Sequence, residues 1–390
     1  MMRTIPAIHN FKGRWVIFFS AVFLLANGCV HSSNATSVPE AKNVFDTVEK
    51  IKELPPETAS EEIGVWRKQC KKGRARYCYR IARLFQLGIH LKEDRGEALL
   101  LFQRGCQNKH KMSCLMAGKL SLDATRSFYA PAAAISSFAM GCQLKEARAC
   151  YEAGGFWLLG DGVKENFNKA AMYFGLSCRG EFGPACTHLG VMAQYGIGVA
   201  QSENSALLLF EKGCSFLDPA SCFLAARILQ HQKADASQVK ALEMSELSCV
   251  GSDARGCVLR GDLARKRDIK MTALAFYERA CDMNNGVGCY RAGLLSKTPG
   301  TYFSKACVRD VAEGGIAQGL HEIQKPQGSL ATAALLFQNA CVQKQPVGCF
   351  QLSRLYRKNP ELIPGPKSLK EAQYRACKGG IRQACEERAK

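Results

Sequence analysis

The residues with the most chemical potential are 20 cysteines in a chain of 390. In a reducing compartment so many thiols point to metal ligation or redox work; in an oxidising one they point to a disulfide framework. Eighteen fall into pairs eight residues apart: Cys70 with Cys78, Cys106 with Cys114, Cys142 with Cys150, Cys178 with Cys186, Cys214 with Cys222, Cys249 with Cys257, Cys281 with Cys289, Cys341 with Cys349, and Cys377 with Cys385. A zinc site wants closer C-x2-C or C-x4-C spacings, usually with histidine. The chain has no CxxC, and its seven histidines do not follow the cysteine period. No metal site and no cofactor are expected.

The pairs dictate the elements that must hold them. First cysteines recur every 36 residues from Cys70 to Cys214, a period that belongs to stacked supersecondary units. Eight residues of one helix span about 12 Å, whereas a disulfide needs Cα atoms roughly 4.4–6.8 Å apart. A bridged pair therefore requires a chain reversal, with the first cysteine closing one helix and the second opening an antiparallel one. Intervening segments such as SFLDPAS and DMNNGVG have the composition of turns and helix ends.

The flanks repeat as well. Aromatics stand four residues before most first cysteines: Trp66, Phe102, Phe138, Phe174, Phe210, Tyr277, Phe303 and Phe337. Small residues stand four after the second ones, among them Ala82, Gly118, Gly154, Gly190, Gly261 and Gly293. This spacing places both sets on the cysteine's own helical face. Large side chains should then meet small ones on the neighbouring helix, which is core packing and not a ligand box. A tenth unit keeps the frame through Phe303, Cys307 and Gly319, but Gly315 stands where its second cysteine would be.

Residues 1–28 read as a signal peptide. Arg3, Lys12 and Arg14 precede an apolar run from Trp15 to Ala26 that is too short for a membrane span. Ala26-Asn27-Gly28-Cys29 resembles a bacterial lipobox, departing from it at Ala26 and Asn27, and makes Cys29 the expected lipidation site. An ordinary Ala-x-Gly cleavage site is the alternative at the same bond. Residues 29–40 would form a lipid anchor and tether, a first helix would cover about 41–53, and 41–390 would form one repeat array. Export decides the cysteine chemistry in favour of disulfides. With eighteen cysteines bridged and Cys29 carrying lipid, Cys307 is left as a thiol.

The loops LGDGVKENFNKA (159–170) and YGIGVAQSENSA (195–206) each place Gly-x-Gly-Val before a helix beginning Lys-Ala or Ser-Ala. This pattern resembles the Sel1-like repeat, a relative of the tetratricopeptide repeat. With the cysteine pairs, residues from about 60 to 390 resemble the Helicobacter cysteine-rich protein family. The resemblance implies an all-α, right-handed α/α superhelical solenoid of about ten hairpins stapled by C-x7-C disulfides. It also implies a monomeric scaffold or adaptor that binds proteins or peptides in the cell envelope or toward a host. After Cys222 the Gly-x-Gly-Val loops disappear, and the units between Cys249 and Cys307 are short. Irregular packing, a bend or a junction, is expected there.

The same resemblance raises an alternative, binding of β-lactams or peptidoglycan fragments with weak β-lactamase activity. Such an enzyme needs S-x-x-K with S-D-N and K-T-G support. Ser237-Gln238-Val239-Lys240 is one S-x-x-K, but the supporting elements are missing, the nearest string being Lys297-Thr298-Pro299. Ser237 is expected to be the N-cap of a helix, and no catalytic residue is assigned. Gly160/Gly162 and Gly196/Gly198 follow no strand and lack the third glycine of a phosphate loop. They read as helix C-caps with positive φ.

Charge is the last signal. Lys and Arg number 53 against 34 acids, a net of +19. An exported protein of this charge suits anionic lipid, lipopolysaccharide, cell-wall polymer or acidic partners, and export argues against nucleic acid. The expected place is the outer membrane or periplasm as a lipoprotein, or outside the cell.

Overall fold

The computed structural model describes residues 50–122, 129–309, 311–365 and 367–389. The expected signal peptide, Cys29, the tether and most of the expected first helix lie outside the described residues. Two compact units divide the chain, Met1–Ile63 and Gly64–Lys390.

Among the described residues every regular element is helical. The helices come as hairpins: α1 (Pro56–Lys71) and α2 (Ala75–Leu87), α3 (Arg95–Gln107) and α4 (Lys111–Leu120), α5 (Pro131–Gln143) and α6 (Ala147–Leu159), α7 (Phe167–Arg179) and α8 (Gly183–Tyr195), α9 (Glu203–Ser215) and α10 (Pro219–Leu229). They continue as α11 (Asp235–Val250) and α12 (Ala254–Lys266), α13 (Lys270–Asp282) and α14 (Gly286–Leu295), α15 (Pro299–Val308) and α16 (Ala312–Gln324), α17 (Leu330–Val342) and α18 (Pro346–Lys358), and α19 (Ser368–Lys378) and α20 (Arg382–Ala389). A 3-10 turn at Pro360–Leu362 precedes α19. From α2 to α20 consecutive helices pack on one another. Even-numbered helices two apart also meet, as in α8–α10, α10–α12 and α12–α14.

One backbone motif builds every cysteine corner. The third residue after the first cysteine takes a left-handed conformation: Gly73, Lys109, Lys145, Glu181, Leu217, Ser252, Asn284, Lys344 and Gly380. Its N–H returns to the carbonyl of the first cysteine, as from Lys109 to Cys106 at 2.8 Å. The following N–H reaches one residue further back, as from His110 to Gly105 at 3.0 Å. This is the Schellman closure, which satisfies two carbonyls that a helix end leaves open. Its last residue also serves as N-cap of the next helix. Asp218 and Asn285 each accept the N–H three residues on, at 3.0 Å from Ser221 and 2.9 Å from Gly288.

The reversal brings the cysteine Cα atoms to 4.4–4.8 Å, and every expected C-x7-C pair is bridged. In the first half Cys70 is joined to Cys78, Cys106 to Cys114, Cys142 to Cys150, Cys178 to Cys186 and Cys214 to Cys222. Beyond it Cys249 is joined to Cys257, Cys281 to Cys289, Cys341 to Cys349 and Cys377 to Cys385. The last four bridges hold the same Cα separation as the first five, although the repeats around them are uneven in length.

Packing at the corner is tight because one of two facing positions is glycine. The residues just before the two cysteines form the pairs Gly105/Ser113, Gly141/Ala149, Gly213/Ser221, Ser248/Gly256, Ala280/Gly288, Ala306/Gly314 and Ala340/Gly348. A Cβ on the glycine would fall 2.0–2.8 Å from the partner side chain. Ser177 and Ala185 occupy these positions in the α7/α8 corner, both fully buried.

The aromatic and small positions meet as expected. A Cβ on Gly118 would lie 2.4 Å from Cε1 of Phe138, on Gly190 2.5 Å from Phe210, and on Gly319 2.6 Å from Phe337. Phe102, Phe138, Phe210 and Phe337 have no exposed surface. Such rings supply most of the burial that holds one hairpin to the next.

In the short units after Cys249 the aromatic-to-small contact stays regular. Gly261 against Tyr277 and Gly293 against Phe303 repeat the same contact, each at 2.5 Å from the Cβ position. Shortening is taken from the loops and helix ends: α13 follows α12 after three residues, and α14 and α15 have ten residues each. The packing register is untouched because it depends only on the segment around each cysteine.

Candidate functional site

Ser237 and Lys240 are not assembled into a nucleophile and base. The helix starts three residues earlier than expected, with Ala234 as its N-cap in place of Ser237, so Ser237 lies in the first turn. Its hydroxyl donates to Gln232 Oε1 at 2.8 Å. The Lys240 ammonium sits 2.7 Å from Glu211 on α9. Asp235, one residue after the N-cap, meets the positive helix pole instead.

The first glycine of each Gly-x-Gly loop is a helix stop, whereas Gly162 and Gly198, also expected as caps, lie two residues past the cap in the loop with φ of 68° and 67°. Gly160 and Gly196 terminate α6 and α8 with φ of 71° and 69°, their N–H groups donating to Phe156 and Met192. Gly88 ends α2 in the same way. Cys307 is half-buried, and the corner around it, where Gly315 stands in place of a second cysteine, closes with Val311 N–H donating to Ala306 O at 3.1 Å.

The structure brings together a set of side chains that the sequence reading did not assign. They lie two and five residues after each second cysteine, on the even-numbered helices. The +5 residue of one even helix faces the +2 residue of the next. Lys119 on α4 is 3.6 Å from Glu152 on α6, and Asp262 on α12 pairs with Arg291 on α14, the same register with the charges exchanged. Between them the row carries Gly155, His188, Val191, Leu224 and Arg227, all half-buried, and Leu259, which is buried. Counting from the second cysteine of each pair would have found this register, which the aromatic and glycine positions masked.

Electrostatics in this row follow from partial burial. Desolvation raises the Glu152 carboxyl above its usual range, with Lys119 opposing. The His188 ring is pushed below the usual imidazole value by burial; its Nδ1–H donates to Pro184 O at 2.8 Å. Rings of Tyr151 and Phe174 lie 5.3 and 5.1 Å from it. Tyr277 donates to Asp262 at 2.7 Å, and burial with this bond lifts its hydroxyl to about 12. The result is a strip of fixed, half-buried polar and apolar groups whose chemistry changes from helix to helix. Among the described residues no helix is long and apolar enough to cross a membrane.

The Sel1 repeat family profile matches residues 75–110, 147–181, 183–215 and 256–285. No curated protein matches the chain. A solved structure, the protective antigen c5321 of uropathogenic Escherichia coli, which displays an SLR fold, overlays with a TM-score of 0.69 at 18% identity. That overlay covers 84% of this chain and 74% of that one. A Sel1 repeat protein from Oxalobacter formigenes gives 0.58 at 14% identity, covering 74% and 88%. Cysteine-rich protein B of Helicobacter pylori is 25% identical over 33% of this chain and 93% of its own, with a TM-score of 0.28. Each matched segment holds one even helix and the odd helix after it, so the disulfides run between repeats: Cys178 ends the match at 147–181 and Cys186 opens that at 183–215. Four segments of the chain are thus Sel1 repeats, and the described residues form an all-helical solenoid of this fold, stapled by nine disulfides.

Proposed function

We propose that the protein is an exported, lipid-anchored scaffold or adaptor of the cell envelope that binds a protein or peptide along the even-numbered helices. The observation that carries this reading is the +2/+5 row. Its backbone frame is constant from repeat to repeat while its side chains change from cation to acid to apolar. An extended ligand running across α4 to α12 would meet a different group at each helix, which gives recognition by sequence. Nine bridges suit an oxidising compartment, and Cys29 is the position where lipid would be attached.

The test is site-specific photocrosslinking in the native host. A photoreactive residue at Val191 or Leu224 should capture one discrete partner. The same residue at Met172 or Leu208, exposed on odd-numbered helices, should not. Charge reversal of Arg227 should weaken that capture. Equal capture from both rows, or none from the even row, would sink this assignment.

A further inference from the structure

Successive cysteine corners touch one another. Arg104 donates to the carbonyl of Lys71 at 3.2 Å, and Asn108 Oδ1 lies 3.6 Å from the Cβ position of Gly73. The Cβ position of Gly141 is 3.7 Å from Lys111 O. The corners of α1/α2, α3/α4 and α5/α6 are therefore one continuous edge, distinct from the even-helix row.

Charge along that edge is uneven. From three residues before the first cysteine to one before the second, these three corners hold eleven Lys and Arg and one acid, Glu146. The corresponding segments of the next three corners hold three cations against five acids. Lys71, Lys72, Arg74, Lys109, Lys145 and Arg148 are all exposed. They lie in or beside the disulfide-closed turns, and no aromatic ring is exposed among them to stack a base.

We infer that this corner edge is a docking surface for an anionic phospholipid bilayer. The charge is spread over exposed side chains of three successive corners, which matches a delocalised layer of phosphate headgroups better than a discrete ligand. In chain order these are also the first corners after Cys29. An anchored chain would thereby lie with this edge on the membrane and leave the even-helix row exposed.

The experiment is lysine footprinting by mass spectrometry on the whole protein, mixed with vesicles of phosphatidylcholine alone or with phosphatidylglycerol. On phosphatidylglycerol, Lys71, Lys72, Lys109 and Lys145 should lose about threefold or more of their labelling, and salt should restore it. Lys266 and Lys270, exposed elsewhere, should label as in solution. No association with phosphatidylglycerol vesicles, equal protection on both vesicles, or equal protection of both lysine groups would overturn the inference. Equal protection by a soluble oligonucleotide at matched phosphate would overturn it in favour of a soluble polyanion.

Discussion

A Cβ on Gly315 would lie 3.5 Å from the Sγ of Cys307, across the one cysteine corner without a bridge. The corner keeps the Val311 N–H to Ala306 O bond and the Ala306/Gly314 contact of its bridged counterparts. The fold of the corner is thus set by backbone and small side chains, and the disulfide locks what they form. Gly315→Cys should form a tenth bridge on oxidation and raise stability by about 2 kcal/mol. Alkylation with mass readout checks the bond; a Gly315 variant that leaves two reactive thiols would contradict the geometry.

Gly190 has no room for a side chain against Phe210. Gly190→Ala should cost about 1–3 kcal/mol through overpacking. Adding Phe210→Leu should recover part of that loss, because the smaller side chain frees the space. A double-mutant cycle by urea unfolding without reductant measures the coupling, and additivity would argue against the contact.

Leu217 holds a left-handed conformation with φ of 59° and is largely exposed. Leu217→Gly should stabilise by about 0.5–1 kcal/mol, the relief of an αL side chain less the added freedom of the unfolded chain. Gly73→Leu, at the equivalent position of the first corner, should act in the opposite direction. Urea unfolding of both variants checks the signs.

His188 supplies a pH test. Its folded-state value is lowered by burial, so the unfolded chain takes up the proton first as pH falls. Its contribution is complete above the ordinary value near 6.5 and is lost below it, by up to about 1.4 kcal/mol per pH unit. Thermal melts between pH 8 and 5 should show that slope, and His188→Gln should remove it. Glu152, raised by burial, works the other way, losing stability as pH rises above the usual carboxylate range.

Ser237 should not support lactam hydrolysis, since its hydroxyl is bonded to Gln232 and Lys240 is held by Glu211. A chromogenic lactam assay should give the same rate for the wild type and Ser237→Ala. A rate that the substitution abolishes would revive the enzymatic reading.

Much of this fold is legible because the cysteines act as register marks. Once Cys106 and Cys114 are read as a reversal, the packing of Gly118 under Phe138 follows from helical spacing. The same logic carries through Cys257, Cys289, Cys349 and Cys385, where loop motifs no longer help. Residue type alone misplaces the start of α11: Ser237 fits an N-cap, while Asp235 at the helix pole decides the boundary. Loop length is a poor guide to local packing in the short units, because the Gly261–Tyr277 contact does not depend on the loop. The left-handed corner residue is hidden because most corners do not use glycine there. Lys109, Glu181 and Leu217 hold it because the helices on both sides leave them no alternative. The Lys119–Glu152 register is less apparent for another reason: its residues stand 33 apart, and only counting from each second cysteine lines them up.

The corners also bear on how the protein survives peptidases. Lys72, Arg74, Lys109 and Lys145 are where trypsin-like enzymes would cut most readily, exposed and at breaks between helices. Each lies inside a loop whose ends are joined by sulfur, Cys70 to Cys78, Cys106 to Cys114 or Cys142 to Cys150. A cut there severs the backbone but releases no fragment, and the helices on both sides stay packed. Such a chain can accumulate scissions at its weakest peptide bonds and still be one molecule until a reductant reaches it.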